Sequence, residues 1–236
     1  MIAQKLTLKT RIGYGIGDIS ICLYWSGVGL YLLYFYTDVV GISPALAGVI
    51  YGIGMMWDAL TDPFMGYLAE RTRTKWGVYR PYILFGNLPL AISFFLLFWV
   101  PPYEGTALFV ALLLINLFHR TCFTIVSVPF SSLTPRITAD SKERTNLTGF
   151  RMLGAQTGTN LMALCAFPII FMFGEGDEAQ GFIYLALIAG VVAMMIHAVT
   201  LYTVREPSTS QGIDRVSGSL IDTAKSIGKN LSLIHI

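Results

Sequence analysis

The strongest constraint on this chain is a series of six apolar stretches, each long enough to cross a lipid bilayer as a helix. A transmembrane helix needs about 20 mostly apolar residues. Of the 236 residues only 13% are charged, whereas soluble domains have about 25%. The sequence therefore predicts an all-α membrane protein with six transmembrane helices, at residues 12–36, 44–69, 79–100, 107–134, 147–173 and 182–204.

The loops that join these stretches alternate in charge. One side of the membrane receives the basic loops, and the other side receives loops that contain acidic residues without Lys or Arg. Because Lys and Arg are enriched in cytoplasmic loops, we predict a multi-pass protein of the cytoplasmic (inner) membrane with both termini in the cytoplasm. Membrane lipid is an expected partner and nucleic acid is not. The acidic loop residues are Asp38, Glu104, Glu175, Asp177 and Glu178.

Two segments are expected along the chain: a six-helix bundle over residues 1–204 and a cytoplasmic linker over residues 205–236. In the linker, Val216, Leu220, Ala224 and Ile227 recur at helical spacing, which predicts a short amphipathic helix. A new apolar stretch begins at residues 231–236 and is too short to span the membrane. We therefore expect either a truncated chain or a last few residues that do not belong to the native reading frame.

A pair of aspartates lies inside the second apolar stretch. Asp58 and Asp62 are four residues apart, so a helix places them one above the other on one face. Carboxylates at membrane depth usually mark an ion or substrate pathway. Two like charges this close do not both stay ionised without a cation or a proton. The pattern predicts a cation site.

The fourth stretch carries a polar stripe. Arg120, Thr124, Ser127 and Ser131 follow i, i+4, i+7 and i+11 spacing along one helix face. An arginine in mid-membrane needs a carboxylate or a water-filled cavity. We expect Arg120 to face the cavity and to neutralise Asp58, Asp62 or a carboxylate of the substrate.

Polar residues also occur in the first and fifth stretches. Asp18, Cys22, Trp25 and Gly29 share one face of the first helix, and Trp25 is a candidate platform for a sugar ring, or else a packing residue. Asp18 fits a helix-end salt bridge at least as well as a substrate contact. Arg151 could extend to the interface or project into the central cavity.

Several segments together resemble the glycoside–pentoside–hexuronide:cation symporter family of the major facilitator superfamily. They are residues 34–41 (YFYTDVVG), 57–66 (WDALTDPFMG), 71–81 (RTRTKWGVYRP), 128–135 (VPFSSLTP) and 143–147 (ERTNL). The resemblance implies that the chain is the N-terminal six-helix half of a twelve-helix transporter, whose partner is the missing C-terminal half. The implied function is secondary active symport of a sugar, glycoside or hexuronide with Na⁺ or H⁺ by alternating access. The protein would not be an enzyme, and no cofactor is expected beyond the coupling ion.

The resemblance also implies site residues. The family's cation site maps onto Asp58, Thr61, Asp62 and Thr124, with the two aspartates as Na⁺ ligands. The substrate site maps less well, because the family's acidic sugar ligands fall on Cys22 and Ser127 and its tryptophan falls on Ser131, so melibiose is not an expected substrate. The complete candidate substrate set is Asp18, Cys22, Trp25, Arg120, Ser127, Ser131 and Arg151.

Two alternatives stay open at this point. Residues 15–18 (GIGD) fit the Gly-x-Gly-Asp signature of intramembrane aspartyl proteases. However, the residue before Asp58 is Trp57 where those enzymes have tyrosine, and no Pro-Ala-Leu motif accompanies a later helix. A lipid-transporting or non-transporting relative on the same scaffold would tolerate the same loop motifs.

Overall fold

A computed structural model describes residues 6–204 and residue 206, and six long helices cover most of that part of the chain. A four-residue helix lies between the fourth and fifth of them, and the first ends in a π-helical turn at Phe35–Val39. The helices are α1 Leu8–Tyr34, α2 Pro44–Arg71, α3 Arg80–Leu97, α4 Gly105–Ser132, α5 Thr134–Ile137, α6 Ser141–Gly174 and α7 Glu178–Thr203. Each predicted span matches one long helix, so the all-α prediction is confirmed. The predicted linker helix lies outside the described residues.

Side-chain caps fix where several helices begin. The Ser43 hydroxyl accepts from the Leu46 N–H at 3.3 Å before α2. The Asp140 carboxylate accepts from the Glu143 N–H at 2.8 Å before α6. These polar side chains satisfy N–H groups that have no partner within the helix, so α2 and α6 start where the sequence supplies an oxygen acceptor.

Five of the six long helices are long and apolar enough to cross a membrane by length and composition. The exception is α2, although it has 28 residues. It carries both Asp58 and Asp62, and charged residues lower the mean hydropathy of a span. The helix that resembles an ordinary membrane span least is therefore the one with the candidate cation ligands.

The most extensive contact in the bundle is between α1 and α6. On the other side of the bundle α4 lies between α2 and α3, and α7 packs against α1, α3 and α6. Small residues permit the close α1–α6 contact. A Cβ atom on Gly154 would overlap the Gly15 carbonyl oxygen, and one on Gly158 would lie 2.6 Å from the Ile19 carbonyl oxygen. Only residues without a side chain allow two membrane helices to approach so closely.

Polar contacts tie the loop between α2 and α3 to the end of α7. A carboxylate oxygen of Glu206 accepts from the backbone N–H groups of Val78 at 2.9 Å and Tyr79 at 3.0 Å. The Arg80 guanidinium donates to the Leu201 carbonyl at 2.6 Å. On the same side, Arg11 of α1 pairs with Glu143 of α6 at 2.8 Å. These contacts hold the loop ends of neighbouring helices together on the side that is predicted to be cytoplasmic.

Candidate functional site

The first candidate cluster lies where α2 packs against α4. The Arg120 guanidinium donates a hydrogen bond to one carboxylate oxygen of Asp58 and forms an ion pair with it. The Arg120 side chain is 6% exposed and the Asp58 side chain 20% exposed. Sequence analysis left open whether Arg120 neutralises Asp58, Asp62 or a substrate; in the structure its ionic partner is Asp58.

The surroundings of Arg120 fix the direction of its side chain. Its Nε–H donates to the Asn116 Oδ1 at 3.3 Å, and its guanidinium carbon lies 5.2 Å from the centre of the Tyr51 ring. Gly54, one turn before Asp58, leaves the space that Arg120 fills, because a Cβ atom there would overlap both Arg120 and Asn116. Sequence analysis missed Asn116, although it precedes Arg120 by four residues and extends the polar stripe by one turn.

Asp62 lies one turn further along α2 and has a different neighbour. The Thr124 hydroxyl donates to the Asp62 Oδ1 at 2.7 Å. Thr124 is buried at 2% exposure, whereas Asp62 is exposed at the surface of the bundle. Three of the four predicted cation ligands thus lie along the α2–α4 contact with oxygen atoms directed across it.

The fourth predicted cation ligand, Thr61, is placed differently. Its hydroxyl donates to the Trp57 carbonyl within α2 at 3.0 Å. In the part of the chain that the structure describes, no hydrogen bond joins Thr61 to either carboxylate. Its oxygen retains acceptor capacity, and the ligand role of Thr61 stays a prediction.

The second cluster joins α1 to α6. Arg151 donates from Nε to the Asp18 Oδ2 at 2.7 Å and from Nη2 to the Asp18 Oδ1 at 3.1 Å. It also donates to the Ser131 hydroxyl at 3.3 Å and to the Thr134 hydroxyl at 3.4 Å. Asp18 is 5% exposed. The sequence allowed Asp18 to form either a salt bridge or a substrate contact, and this bidentate pair is a salt bridge. Arg151 points into the bundle instead of extending to the interface.

Trp25 lies on the open side of α1. Its side chain is 55% exposed, and its ring stacks on Phe123 of α4 at a centroid distance of 5.7 Å with 29° between the planes. Cys22 and Ser127 are half-buried. On α6 the exposed Gln156 and Asn160 are joined by a hydrogen bond of 3.0 Å. An aromatic face with amide groups on a nearby helix can bind a sugar ring by stacking and hydrogen bonding.

Five of the seven predicted substrate residues therefore fall into three groups, and the half-buried Cys22 and Ser127 belong to none of them. Arg120 belongs to the Asp58 cluster, and Arg151, Asp18 and Ser131 form the α1–α6 cluster. Trp25 alone presents a large exposed surface. The sequence placed these residues on shared helix faces and offered Asp58 as one of three partners for Arg120, but it did not identify Arg151 as the partner of Asp18.

Comparison with known proteins adds independent information. Residues 13–236 match the family model described as MFS/sugar transport protein. The chain is 32% identical over 230 residues to the putative glycoside/cation symporter YagG of Escherichia coli (strain K12), which covers 98% of this chain and 48% of that protein. It is 32% identical over 198 residues to the isoprimeverose transporter of Lactiplantibacillus pentosus, covering 83% of this chain and 41% of that protein.

A relative that is named for a different substrate also matches. The sodium-dependent lysophosphatidylcholine symporter 1-A of Danio rerio is 36% identical over 159 residues, which is 66% of this chain and 29% of that protein. The chain spans about half the length, or less, of these curated relatives.

Proposed function

The chain belongs to the MFS/sugar transport protein family and to its glycoside–pentoside–hexuronide:cation symporters. From this premise we propose that it is the substrate- and cation-binding half of a secondary transporter. In this proposal a monovalent cation and a glycoside cross the inner membrane together. The family consists of transporters, so the aspartyl protease alternative is not pursued. Both termini are proposed to be cytoplasmic, in agreement with the basic loops.

The observation that carries the proposal is the contact between α2 and α4. Asp58 and Asp62 meet Arg120 and Thr124 inside a membrane bundle, and Asp62 remains open at the bundle surface. Carboxylate and hydroxyl oxygens suit hard cations. Cation binding would neutralise charge on α2 and so favour one arrangement of the bundle over another, which is how ion binding can be coupled to a conformational change.

The substrate site is proposed to include the exposed Trp25 ring of α1 and the exposed amide groups of Gln156 and Asn160 on α6. Both membrane arginines are already paired with carboxylates, Arg120 with Asp58 and Arg151 with Asp18. An anionic hexuronide would have to compete with those carboxylates for a guanidinium. We therefore favour a neutral glycoside or pentoside over a hexuronide.

Transport by alternating access needs a second bundle. In transporters of this superfamily, two halves rock against each other around a site between them. We propose that the open face of this bundle packs against such a six-helix partner. The exposed side chains of α2 and α6 provide a surface for it: Met56, Leu60 and Phe64 on α2, and Met152, Leu153 and Leu164 on α6.

The test is uptake by proteoliposomes that contain the protein encoded by the complete open reading frame of this chain. Radiolabelled nitrophenyl β-xyloside, β-glucoside and β-glucuronide are each offered under an inward Na⁺ gradient, an inward H⁺ gradient and no gradient. We expect gradient-driven accumulation of a neutral glycoside, which Trp25→Ala abolishes and Trp99→Ala leaves unchanged. Equal uptake with and without gradients would contradict cation coupling, and preference for the glucuronide would contradict the neutral-substrate assignment.

A lysophospholipid is the second candidate substrate, because one relative is named as a symporter of lysophosphatidylcholine. Lysophosphatidylcholine is therefore included in the same uptake assay. Gradient-driven uptake of that lipid, without uptake of any glycoside, would replace the sugar assignment while leaving the cation site in place.

A further inference from the structure

The two aspartates of α2 are not equivalent in the structure. Asp58 forms an ion pair with Arg120, and the arginine is almost fully buried. Asp62 accepts a hydrogen bond from the neutral Thr124 hydroxyl at 2.7 Å and is exposed at the bundle surface. Among the described residues, one carboxylate thus has a resident cation as its partner, and the hydrogen bond to the other comes from a neutral donor.

The position of Arg120 is set by its surroundings. Asn116 accepts from its Nε–H, Tyr51 faces its guanidinium, and the missing side chain of Gly54 leaves room for it. Moving the guanidinium away from Asp58 would leave the buried Arg120 charge and the partly buried Asp58 charge without partners, which is unfavourable in a low-dielectric interior. A coupling cation that carries one charge cannot readily replace Arg120 at Asp58.

Charge balance then favours Asp62 as the site of the exchangeable cation. The two ionised carboxylates and the guanidinium together carry one net negative charge, so a single monovalent cation makes the cluster neutral. That cation is most stable beside the carboxylate that has no cationic partner. Thr124 can supply it with a hydroxyl oxygen, because a hydroxyl has two acceptor lone pairs.

We propose that Arg120 is a built-in counter-cation for Asp58, and that the coupling cation binds at Asp62 and Thr124. This rests on the proposed cation-coupled transport and makes it more specific. Arg120 acts as a positioning residue that removes Asp58 from direct ligation. The competing arrangement has the cation on the second oxygen of Asp58, Oδ1, which is buried and has no hydrogen-bond partner among the described residues.

Substitution of Asp58 alone and together with Arg120 separates the two arrangements. In Asp58→Asn, Arg120 keeps its charge without a carboxylate and would pair with Asp62 or repel the cation. In Asp58→Asn with Arg120→Gln, both charges are removed and the Asp62 site keeps its net charge. The double variant should therefore transport better than the single variant if Asp62 holds the cation, and no better if Asp58 is a direct ligand.

The experiment uses the proteoliposome assay described above, with the glycoside and the gradient that drive uptake by the wild-type protein. We expect Asp58→Asn and Asp62→Asn each to lower gradient-driven accumulation by at least about tenfold, equivalent to about 1.4 kcal/mol. The double variant Asp58→Asn/Arg120→Gln should recover to within about threefold of wild type. A second double variant, Asp58→Leu/Arg120→Met, replaces the pair by apolar side chains of similar size and guards against misfolding of the first.

The outcomes are distinct. If either monodisperse double variant recovers accumulation while Asp62→Asn stays inactive, the proposal is supported. If both double variants are monodisperse and as inactive as Asp58→Asn, Asp58 is a direct ligand and the proposal is overturned. Failure of both double variants to fold would also overturn it, because it would make the charges themselves essential to the bundle. Absence of gradient-driven uptake in the wild type would instead refute the proposed function.

Discussion

The Asp18–Arg151 pair offers a measurable test of whether the α1–α6 cluster is structural. We substitute Asp18→Asn, Arg151→Gln and both together. The pair is bidentate, with contacts of 2.7 and 3.1 Å, and its side chains are 8% and 23% exposed. Removing one partner from a fully buried pair costs about 3–5 kcal/mol, mostly because the other charge is left unpaired.

The expected magnitude is smaller here. Arg151 is nearly one-quarter exposed and retains its bonds to Ser131 and Thr134, and asparagine can still accept one hydrogen bond. We therefore expect Asp18→Asn to lower the free energy of unfolding by about 2 kcal/mol. The double variant should lose less than the sum of the two single variants, with a coupling energy of about 1–2 kcal/mol.

The measurement is reversible unfolding of the purified chain in SDS mixtures, followed by far-ultraviolet circular dichroism. Glu104→Gln is the control, because Glu104 is exposed and its side chain does not cap a helix, and it should change the free energy of unfolding by less than about 0.5 kcal/mol. Additive losses, with a coupling energy below about 0.5 kcal/mol, would refute the structural pair. Unchanged stability together with lost glycoside uptake would assign Asp18 and Arg151 to the substrate.

Three further predictions concern the cation site, helix packing and topology. Thr124→Val keeps the shape of the side chain but removes the hydroxyl that contacts Asp62. It should raise the cation concentration for half-maximal uptake about tenfold, since one lost hydrogen bond costs about 1 kcal/mol or somewhat more. An unchanged concentration for half-maximal uptake would exclude Thr124 as a ligand. Gly154→Leu should remove the monodisperse peak in size-exclusion chromatography, because a Cβ atom at Gly154 would already overlap α1. The control Gly149→Leu lies on the same helix but faces open space, so its peak should be retained. Equal elution profiles of the two variants would contradict the close α1–α6 contact. In a cysteine-free background, membrane-impermeant maleimide should label Glu104→Cys but not Arg73→Cys in intact cells, and the reverse result would invert the topology.

The sequence by itself determined the class of structure and the position of each long helix. The lengths of the six apolar stretches required helices, because backbone groups in lipid must be paired within the same segment. The four-residue spacing of Asp58 and Asp62 put both on one face of α2, and the Arg120 stripe defined one face of α4. These are local properties, so periodicity within one helix was sufficient to predict them.

Only the tertiary structure decided which charged groups meet. Arg120 and Arg151 both lie within predicted membrane helices, yet the first pairs with Asp58 across α2–α4 and the second with Asp18 across α1–α6. The partner depends on how closely two helices approach and on their rotation about their axes. Gly54, Gly15 and Gly154 set those quantities through the absence of a side chain, and no spacing within a single helix encodes them. The difference between Asp58, which is paired with Arg120, and Asp62, which is exposed and bonded to Thr124, therefore arises from packing between helices.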